Sequence, residues 1–403
     1  MHTLPATDIE LAAWLRLSLA PGLKPAALRL LLSAFGLPEA IFDQSIEALA
    51  EIAGEAAARA VLAPAGPSFD AQLDAVIAWG ALPGNHVVTL DDPAYPPALL
   101  TMPDPPPLLY IKGRLDLLHT RAVALVGSRS ATPQGVEDAE RFSRELSQAG
   151  VTIVSGLALG IDGAAHRGGL EGIGGTVAVI GTGADLVYPA AHHALARQIA
   201  AQGAILSEWP LGTPARAANF PQRNRLIAGL VSGVVIVEAA MRSGSLITAR
   251  LANEMGRDIF ALPGSIHAPL SRGCHRIIKQ GAKLVETPDE VLEELGFAKP
   301  VTAKAPSKHA VLWEGARVRD SQRAPASAET PAPPPPLSAE ALQLLDALGH
   351  APATLEILAT RTEMGDAALQ NTLLQLELAG QVTALPGGRF TRATHGRPRV
   401  DQG

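Results

Sequence analysis

The sequence predicts an α/β fold built around a Rossmann-like, doubly wound, mostly parallel sheet. A small helical domain of the sterile-alpha-motif or helix-hairpin-helix kind precedes it, and a winged helix follows. Three observations carry the prediction. Short apolar runs alternate with amphipathic, helix-length stretches between residues 84 and 298. Strand-like runs are absent from residues 1–83, and the end of the chain has three helical patterns closed by a hairpin.

In residues 1–83, Leu11, Leu15 and Leu19 recur at helical period, as do Leu28, Leu31 and Leu32 after the turn Pro21-Gly22. Leu19-Ala-Pro-Gly-Leu-Lys24 resembles a helix-hairpin-helix, but nine acids surround Arg16, Lys24, Arg29 and Arg59 and weaken phosphate binding. Across residues 84–298 the expected strands are His86–Leu90, Ala122–Val126, Thr152–Val154, Thr176–Ile180, Gly203–Leu206, Val234–Val237, Ile259–Leu262 and Lys283–Val285. Most are unbroken apolar runs, the pattern of strands covered on both faces. Gly135–Ala149 and Ala191–Gln202 have the length of crossover helices. Residues 299–336 are basic and end in Pro331-Ala-Pro-Pro-Pro-Pro336, a polyproline linker. In residues 337–396, helical patterns at Ala339–Leu348, Thr354–Ala359 and Asp366–Leu378 precede Val382–Leu385 and Arg389–Thr391, which flank Pro386-Gly387-Gly388.

Composition narrows the function. The 403 residues carry 33 Lys and Arg against 39 Asp and Glu, a net charge of -6. That excludes a globally basic coat for nucleic acid or membrane, and leaves room for a local basic cleft. A single cysteine, Cys274, excludes a disulfide framework and a multi-cysteine metal site. No apolar run reaches the roughly 20 residues a bilayer needs. The start of the chain lacks the basic and apolar segments of a secretory signal. The expectation is a cytoplasmic protein with no membrane partner.

In a doubly wound sheet, ligands sit at the carboxyl ends of the strands. Five glycine- and hydroxyl-rich loops follow strands there: Gly127-Ser128-Arg129, Ser155-Gly156, Gly181-Thr182-Gly183, Arg242-Ser243-Gly244-Ser245 and Pro263-Gly264-Ser265. Any one glycine loop is most simply a turn. Five on one edge point to a phosphate ligand, with backbone N–H groups, hydroxyls and Arg129 as partners. Neither a dinucleotide fingerprint nor a P-loop is present, so no cofactor is expected. Between Pro214 and Arg257, six arginines stand against Glu238 and Glu254. Inside that stretch, Phe220 lies beside Arg223 and Arg225, between Asn219 and Asn224. A ring flanked by cations and amides suits single-stranded nucleic acid, although a loop with one anchoring Phe has the same composition.

No convincing active site emerges, and the expectation is a protein that is not an enzyme. Ser128, Asp162 and His166 could be drawn as a triad, but a capping Asp and a packed His explain the i, i+4 pair more simply. His192-His193 and Cys274-His275 lack partners for metal or nucleophilic chemistry. The third helix of the winged helix, through Gly380, has no Lys or Arg, so a protein-interaction or accessory role is expected.

The run Ala124–Pro133, then Val154–Asp162 with Ala165-His166, Gly181–Gly183, Tyr188-Pro189, Asn219–Arg225, Glu238-Ala239, Ser243–Ala249 and Pro263-Gly264, resembles the DNA-processing protein A family, DprA or Smf. The resemblance implies a non-enzymatic recombination mediator of natural transformation. Such a protein binds and protects incoming single-stranded DNA, helps load the RecA recombinase, and forms homodimers through its Rossmann-like domain. It also implies roles for residues. Gly127, Ser128 and Arg129 would hold phosphate, with Gly156 and Gly181 allowing close backbone approach. Phe220, Asn224 and Arg225 would contact the strand, and Ser243, Gly244, Ser245 and Lys279 would complete the pocket. The chain departs from the pattern at His275 and at Ala191-His192-His193, where the family carries Asn. The competing readings are a nucleotide phosphoribohydrolase of the lysine-decarboxylase-like group, whose Pro-Gly-Gly motif fails at Pro263-Gly264-Ser265, and a duplex-DNA regulator acting through the winged helix.

Overall fold

A run such as Ala122–Val126 sends neighbouring side chains to opposite faces, so with no polar residue in it both faces must be covered. The computed structural model, which describes residues 7–297, 338–348, 352–362, 364–385 and 389–393, shows how. Six helices come first: α1 (Asp8–Leu19), α2 (Pro25–Phe35), α3 (Pro38–Phe42), α4 (Ile46–Ala53), α5 (Glu55–Leu62) and α6 (Phe69–Gly80). Thr7 closes a capping box with Glu10 at the start of α1.

The sheet that follows comprises β1 (Asn85–Thr89), β2 (Leu108–Gly113), β3 (Ala122–Val126), β4 (Thr152–Ser155), β5 (Thr176–Val179), β6 (Ala204–Ser207), β7 (Gly233–Ile236), β8 (Asp258–Ala261) and β9 (Lys283–Leu284). Their order is β1-β2-β6-β5-β4-β3-β7-β8-β9. β1 pairs antiparallel with β2, and β2 antiparallel with β6. From β6 to β9 every pairing is parallel.

The crossovers are α7 (Pro133–Gln148), α8 (Ile161–Leu170), α9 (His193–Gln202), α10 (Asn219–Gly229), α11 (Ser245–Glu254) and α12 (Arg272–Lys279), with α13 (Pro288–Glu294) beyond β9. One core joins Ala122, Ala124 and Val126 to Leu226 of α10, Ala249 of α11 and Ile277 of α12. The other joins Val123 and Leu125 to Phe142 of α7, Ala165 of α8 and Val291 of α13. The alternation explains why the strands look uniformly apolar in sequence.

One expectation needs correction. β2 was not expected. Its apolar stretch follows Pro105-Pro106-Pro107, and it pairs on both sides, with Leu108–Ile111 buried. Asn219–Arg225, for which the sequence leaves a loop open, is the first half of α10; Pro221 is tolerated because it falls in the first turn, where helix N–H groups have no intrahelical acceptor. Leu11, Trp14 and Leu15 of α1 pack with Val76 and Trp79 of α6 and with Leu108 and Tyr110 of β2.

The other unit contains α14 (Ala339–Leu348), β10 (Ala353–Thr354), α15 (Leu355–Thr362), α16 (Asp366–Leu378), β11 (Val382–Leu385) and β12 (Arg389–Arg392). Its strands form an antiparallel sheet in the order β10-β12-β11, over a core that includes Leu344, Leu358, Leu369 and Leu373. The three helices and the hairpin strands stand where the sequence puts them. The polyproline linker and the turn at Pro386-Gly387-Gly388 lie outside the described residues. Among the described residues, no helix is long and apolar enough to cross a membrane.

Candidate nucleic-acid interface

The chain runs from β3 outward to β4, β5 and β6, then returns to place β7 on the other side of β3. A crevice is expected at the carboxyl ends of those two strands. A cavity of about 770 Å³ opens there. Three walls form it: the loop Gly127–Ser130 after β3, the first half of α10, and Arg242–Ser245 leading into α11. The N-terminal end of α11 borders this space, and the positive end of its dipole favours an anion there. Ser243 and Ser245 join hydroxyl to hydroxyl at 2.7 Å beside it.

Arg223 is the central side chain. It lines the cavity, is only 3% exposed, and its Nε has no hydrogen-bond partner among the described residues. Burial draws its pKa down to about 10, so it stays cationic at neutral pH. The neighbouring Asp162 carboxyl is pushed up by burial and drawn back by the Arg223 charge. Its Oδ2 accepts from the N–H of Gly156 at 3.1 Å and of Ala158 at 3.4 Å. The rim is aromatic. Arg129 lies 5.4 Å above the Phe220 ring, and Tyr188 packs against the same ring with centroids 5.6 Å apart. The cavity therefore combines a buried cation, a helix N-terminus and a ring flanked by Arg129 and Tyr188.

Of the residues expected from sequence, Gly127, Ser128, Arg129, Phe220, Arg223, Asn224, Ser243, Gly244 and Ser245 all line this cavity. Gly156 and Gly181 do not; they make room for the protein itself. A Cβ on Gly156 would overlap the Arg223 guanidinium, and one on Gly181 would sit 3.3 Å from the Phe220 ring. The Gly181 carbonyl also accepts from Asn219 Nδ2 at 2.9 Å. Arg225 is turned away, paired with Glu208 and bonded to the Asp104 carbonyl at 2.6 Å. Lys279 is exposed at the end of α12 and does not line the cavity. Tyr188, Asp162 and Arg242 do line it and were not among the expected contacts. The signal for Tyr188 was present in the Tyr188-Pro189 pair; nothing in sequence orients its ring toward Phe220.

The imagined triad dissolves. His166 is fully buried, accepting at Nε2 from the Leu157 N–H at 3.2 Å, with Nδ1 2.8 Å from Thr176 Oγ1. Burial holds its pKa down to about 3, so the ring is neutral and structural. Asp162 braces the Gly156–Ala158 loop rather than capping its helix. His192 holds the Leu157 carbonyl at 3.0 Å, and His275 the Gly264 carbonyl at 3.0 Å. Glu238, after β7, accepts from the N–H and hydroxyl of Thr132, the N-cap of α7. That tie keeps its charge off the phosphate side. No group of three or more metal-ligating side chains that could hold an ion occurs among the described residues.

Comparison with known proteins agrees with this architecture. Residues 86–296 match the family model described as DNA recombination-mediator protein A, and residues 328–388 match the DprA winged helix domain. The chain is 41% identical over 328 residues to protein Smf of Escherichia coli K12, covering 81% of this chain and 83% of that one. It is 50% identical over 208 residues to DNA processing protein DprA of Streptococcus pneumoniae, covering 52% of this chain and 73% of the relative. The X-ray structure of DprA from Streptococcus pneumoniae superposes with a TM-score of 0.60 at 40% identity, covering 72% of this chain and 99% of that one.

Proposed function

Because the chain belongs to the DNA recombination-mediator protein A family, the DprA or Smf proteins, we propose that it binds single-stranded DNA and mediates its recombination in natural transformation. It holds the strand without reacting with it, shields it from nucleases and helps load the RecA recombinase. It acts in the cytoplasm as a homodimer formed through the Rossmann-like part. The observation that carries the strand-binding reading is Arg223, a buried guanidinium with an unpartnered Nε at a cavity whose rim is a ring between an arginine and a tyrosine.

A phosphodiester has what this site lacks. Its oxygens accept from Arg223 and from the Ser128, Ser243 and Ser245 hydroxyls, beside the positive end of the α11 dipole. The base next to it stacks on Phe220, a contact worth ~1–3 kcal/mol and indifferent to sequence. Duplex DNA has its bases stacked on each other and offers none to Phe220, so the site favours a single strand. Arg129 serves both partners, as a cation for phosphate and as a lid on the ring.

The test is a competition gel shift of the full chain on a labelled oligo-dT, with unlabelled single strand against unlabelled duplex of the same length. Single strand is expected to displace the probe at far lower concentration. Equal displacement by the two, or no shift in dilute buffer, would overturn the reading.

A further inference from the structure

The first half of α10 carries the residues that meet the strand, yet little apolar packing fixes it. Phe220, Arg223, Asn224 and Ile227, spaced as one helical stripe, line the strand cavity. Gln222 and Arg225, on the opposite stripe, line a second cavity of about 440 Å³. Only the second half of the helix is anchored in the core: Leu226, Ile227 and Ala228 are buried in it, and Gly229 packs on Met102. The first half is thus a wedge between two cavities. Its ties are polar: the amide of Asn219 on the Gly181 carbonyl at one end, and Arg225 at the other.

Arg225 makes three such contacts. Nη2 pairs with Glu208, just beyond β6; Nη1 bonds the Asp104 carbonyl at 2.6 Å and lies 3.4 Å from the Asp104 carboxylate. Both acidic residues belong to segments outside α10, and the Arg225 side chain is only 17% exposed. A half-turn rotation would be needed to bring it to the phosphate side, and that would break all three contacts.

We propose that Arg225 is a positioning residue: tied to Glu208 and Asp104, it sets the rotation of α10 so that Phe220, Arg223 and Asn224 face the strand. This rests on the strand-binding reading given above and assigns Arg225 a role that is not phosphate contact. The lock has a pH response. Burial pushes Glu208 up to about 7. The other titratable and charged groups facing it are Arg225, Asp104 and Tyr95, of which Tyr95 stays neutral and Arg225 charged near pH 7. Glu208 therefore loses its charge on mild acidification, and its pairing with Arg225 weakens.

The experiment measures oligo-dT affinity against salt for the wild type, Arg225→Gln, Arg225→Lys and Glu208→Gln, with circular dichroism to show that each is folded. Positioning predicts that Arg225→Gln and Glu208→Gln each weaken binding about tenfold, the scale of one misplaced charged hydrogen bond. The slope of log affinity on log salt falls alike in Arg225→Gln and Glu208→Gln, because both misplace Arg223, and Arg225→Lys recovers part of the loss. Glu208→Gln is the sharpest arm, because removing a negative charge and freeing Arg225 would tighten binding if Arg225 touched phosphate. Wild-type affinity, compared at constant salt, also falls from pH 8 to pH 6, and Glu208→Gln flattens that fall. Tighter binding by Glu208→Gln, a salt slope reduced in Arg225→Gln but not in Glu208→Gln, or wild-type affinity in both folded variants would overturn the positioning role alone. If Arg225→Gln does not fold, the Glu208→Gln and Arg225→Lys arms decide. A wild type that ignores oligo-dT at every salt overturns the strand-binding reading itself.

Discussion

Replacing Gly156 by Ala tests the assignment of Arg223 without touching Arg223. The added methyl would overlap Nη1 of the guanidinium and sit 2.6 Å from Nη2. Real side chains do not tolerate such contacts, so the guanidinium must leave its seat. Its Nε has no hydrogen bond to lose, and the change is at the far end of a flexible side chain. Moving the guanidinium also takes its charge from beside the buried Asp162, which costs folding stability, so urea unfolding accompanies the binding assay. If Arg223 donates to a phosphate, losing that charge-assisted contact removes about 1.5–3 kcal/mol, or roughly 10- to 150-fold in affinity at low salt. Each phosphate neutralised on a single strand contributes about 0.7 to the salt slope, so the slope should fall by about that much. Fluorescence anisotropy of a labelled oligo-dT across a salt series reads both quantities. A folded Gly156→Ala protein with wild-type affinity and slope would show that Arg223 does not meet the strand.

Three further outcomes follow from the same geometry. Phe220→Ala should lose ~1–3 kcal/mol of strand affinity with its salt slope kept, whereas Arg129→Ala should lower the slope. Because Arg129 sits on the Phe220 ring, the double variant should lose less than the sum, and strict additivity would count against that contact. For His166, the folded pKa of about 3 lies below the ordinary value of 6.5. Its stabilisation is whole above pH 6.5 and is lost as the pH falls toward 3, by ~1.4 kcal/mol per pH unit over that window. Urea unfolding at pH 7 and pH 5 should show a drop that shrinks in His166→Gln; an equal drop in both would remove His166 as its source. Truncation after Phe297 should leave most single-strand affinity intact, since α16 contains no Lys or Arg. Abolished binding would move the site to the winged helix.

The sheet was legible because the physics that makes it is local: apolar runs of strand length, interrupted at regular intervals by helix-length stretches. β2 escaped notice because it follows a proline run and its partners, β1 and β6, are set by long-range pairing. The site was legible as chemistry and less so as geometry. Six arginines between Pro214 and Arg257 gave the right sign, but most of that charge is not at the cavity. Arg225 is tied to Glu208 and Asp104, Arg250 faces Glu254 at 3.5 Å, and Arg257 bonds Thr101 and the Gly229 carbonyl. Only Arg223 and Arg242 of the six line the cavity. Sequence cannot separate them, because Arg223 and Arg225 are two residues apart and a helix turns such neighbours to different faces. Without an assigned helix the stretch carried no facing rule.

The glycines follow a related logic, and it bears on how an anionic protein can grip an anionic polymer. A guanidinium in bulk water binds phosphate weakly, because each partner must first release its hydration. Here the fold has already done that for one partner. Gly156 leaves the space Arg223 occupies, burial removes its water, and Asp162 stabilises the charge while directing one of its oxygens at backbone amides. The loop's own carboxylate at the switch point, Glu238, is held by Thr132 and does not oppose the incoming phosphate. A net charge of -6 then matters little at this distance, since a dehydrated, oriented cation acts locally and the rest of the charge is screened within about 10 Å in ordinary salt. Affinity on this account depends on the seat more than on the number of cations. Moving the guanidinium by one methyl should therefore cost more than neutralising an exposed arginine such as Arg242 outright.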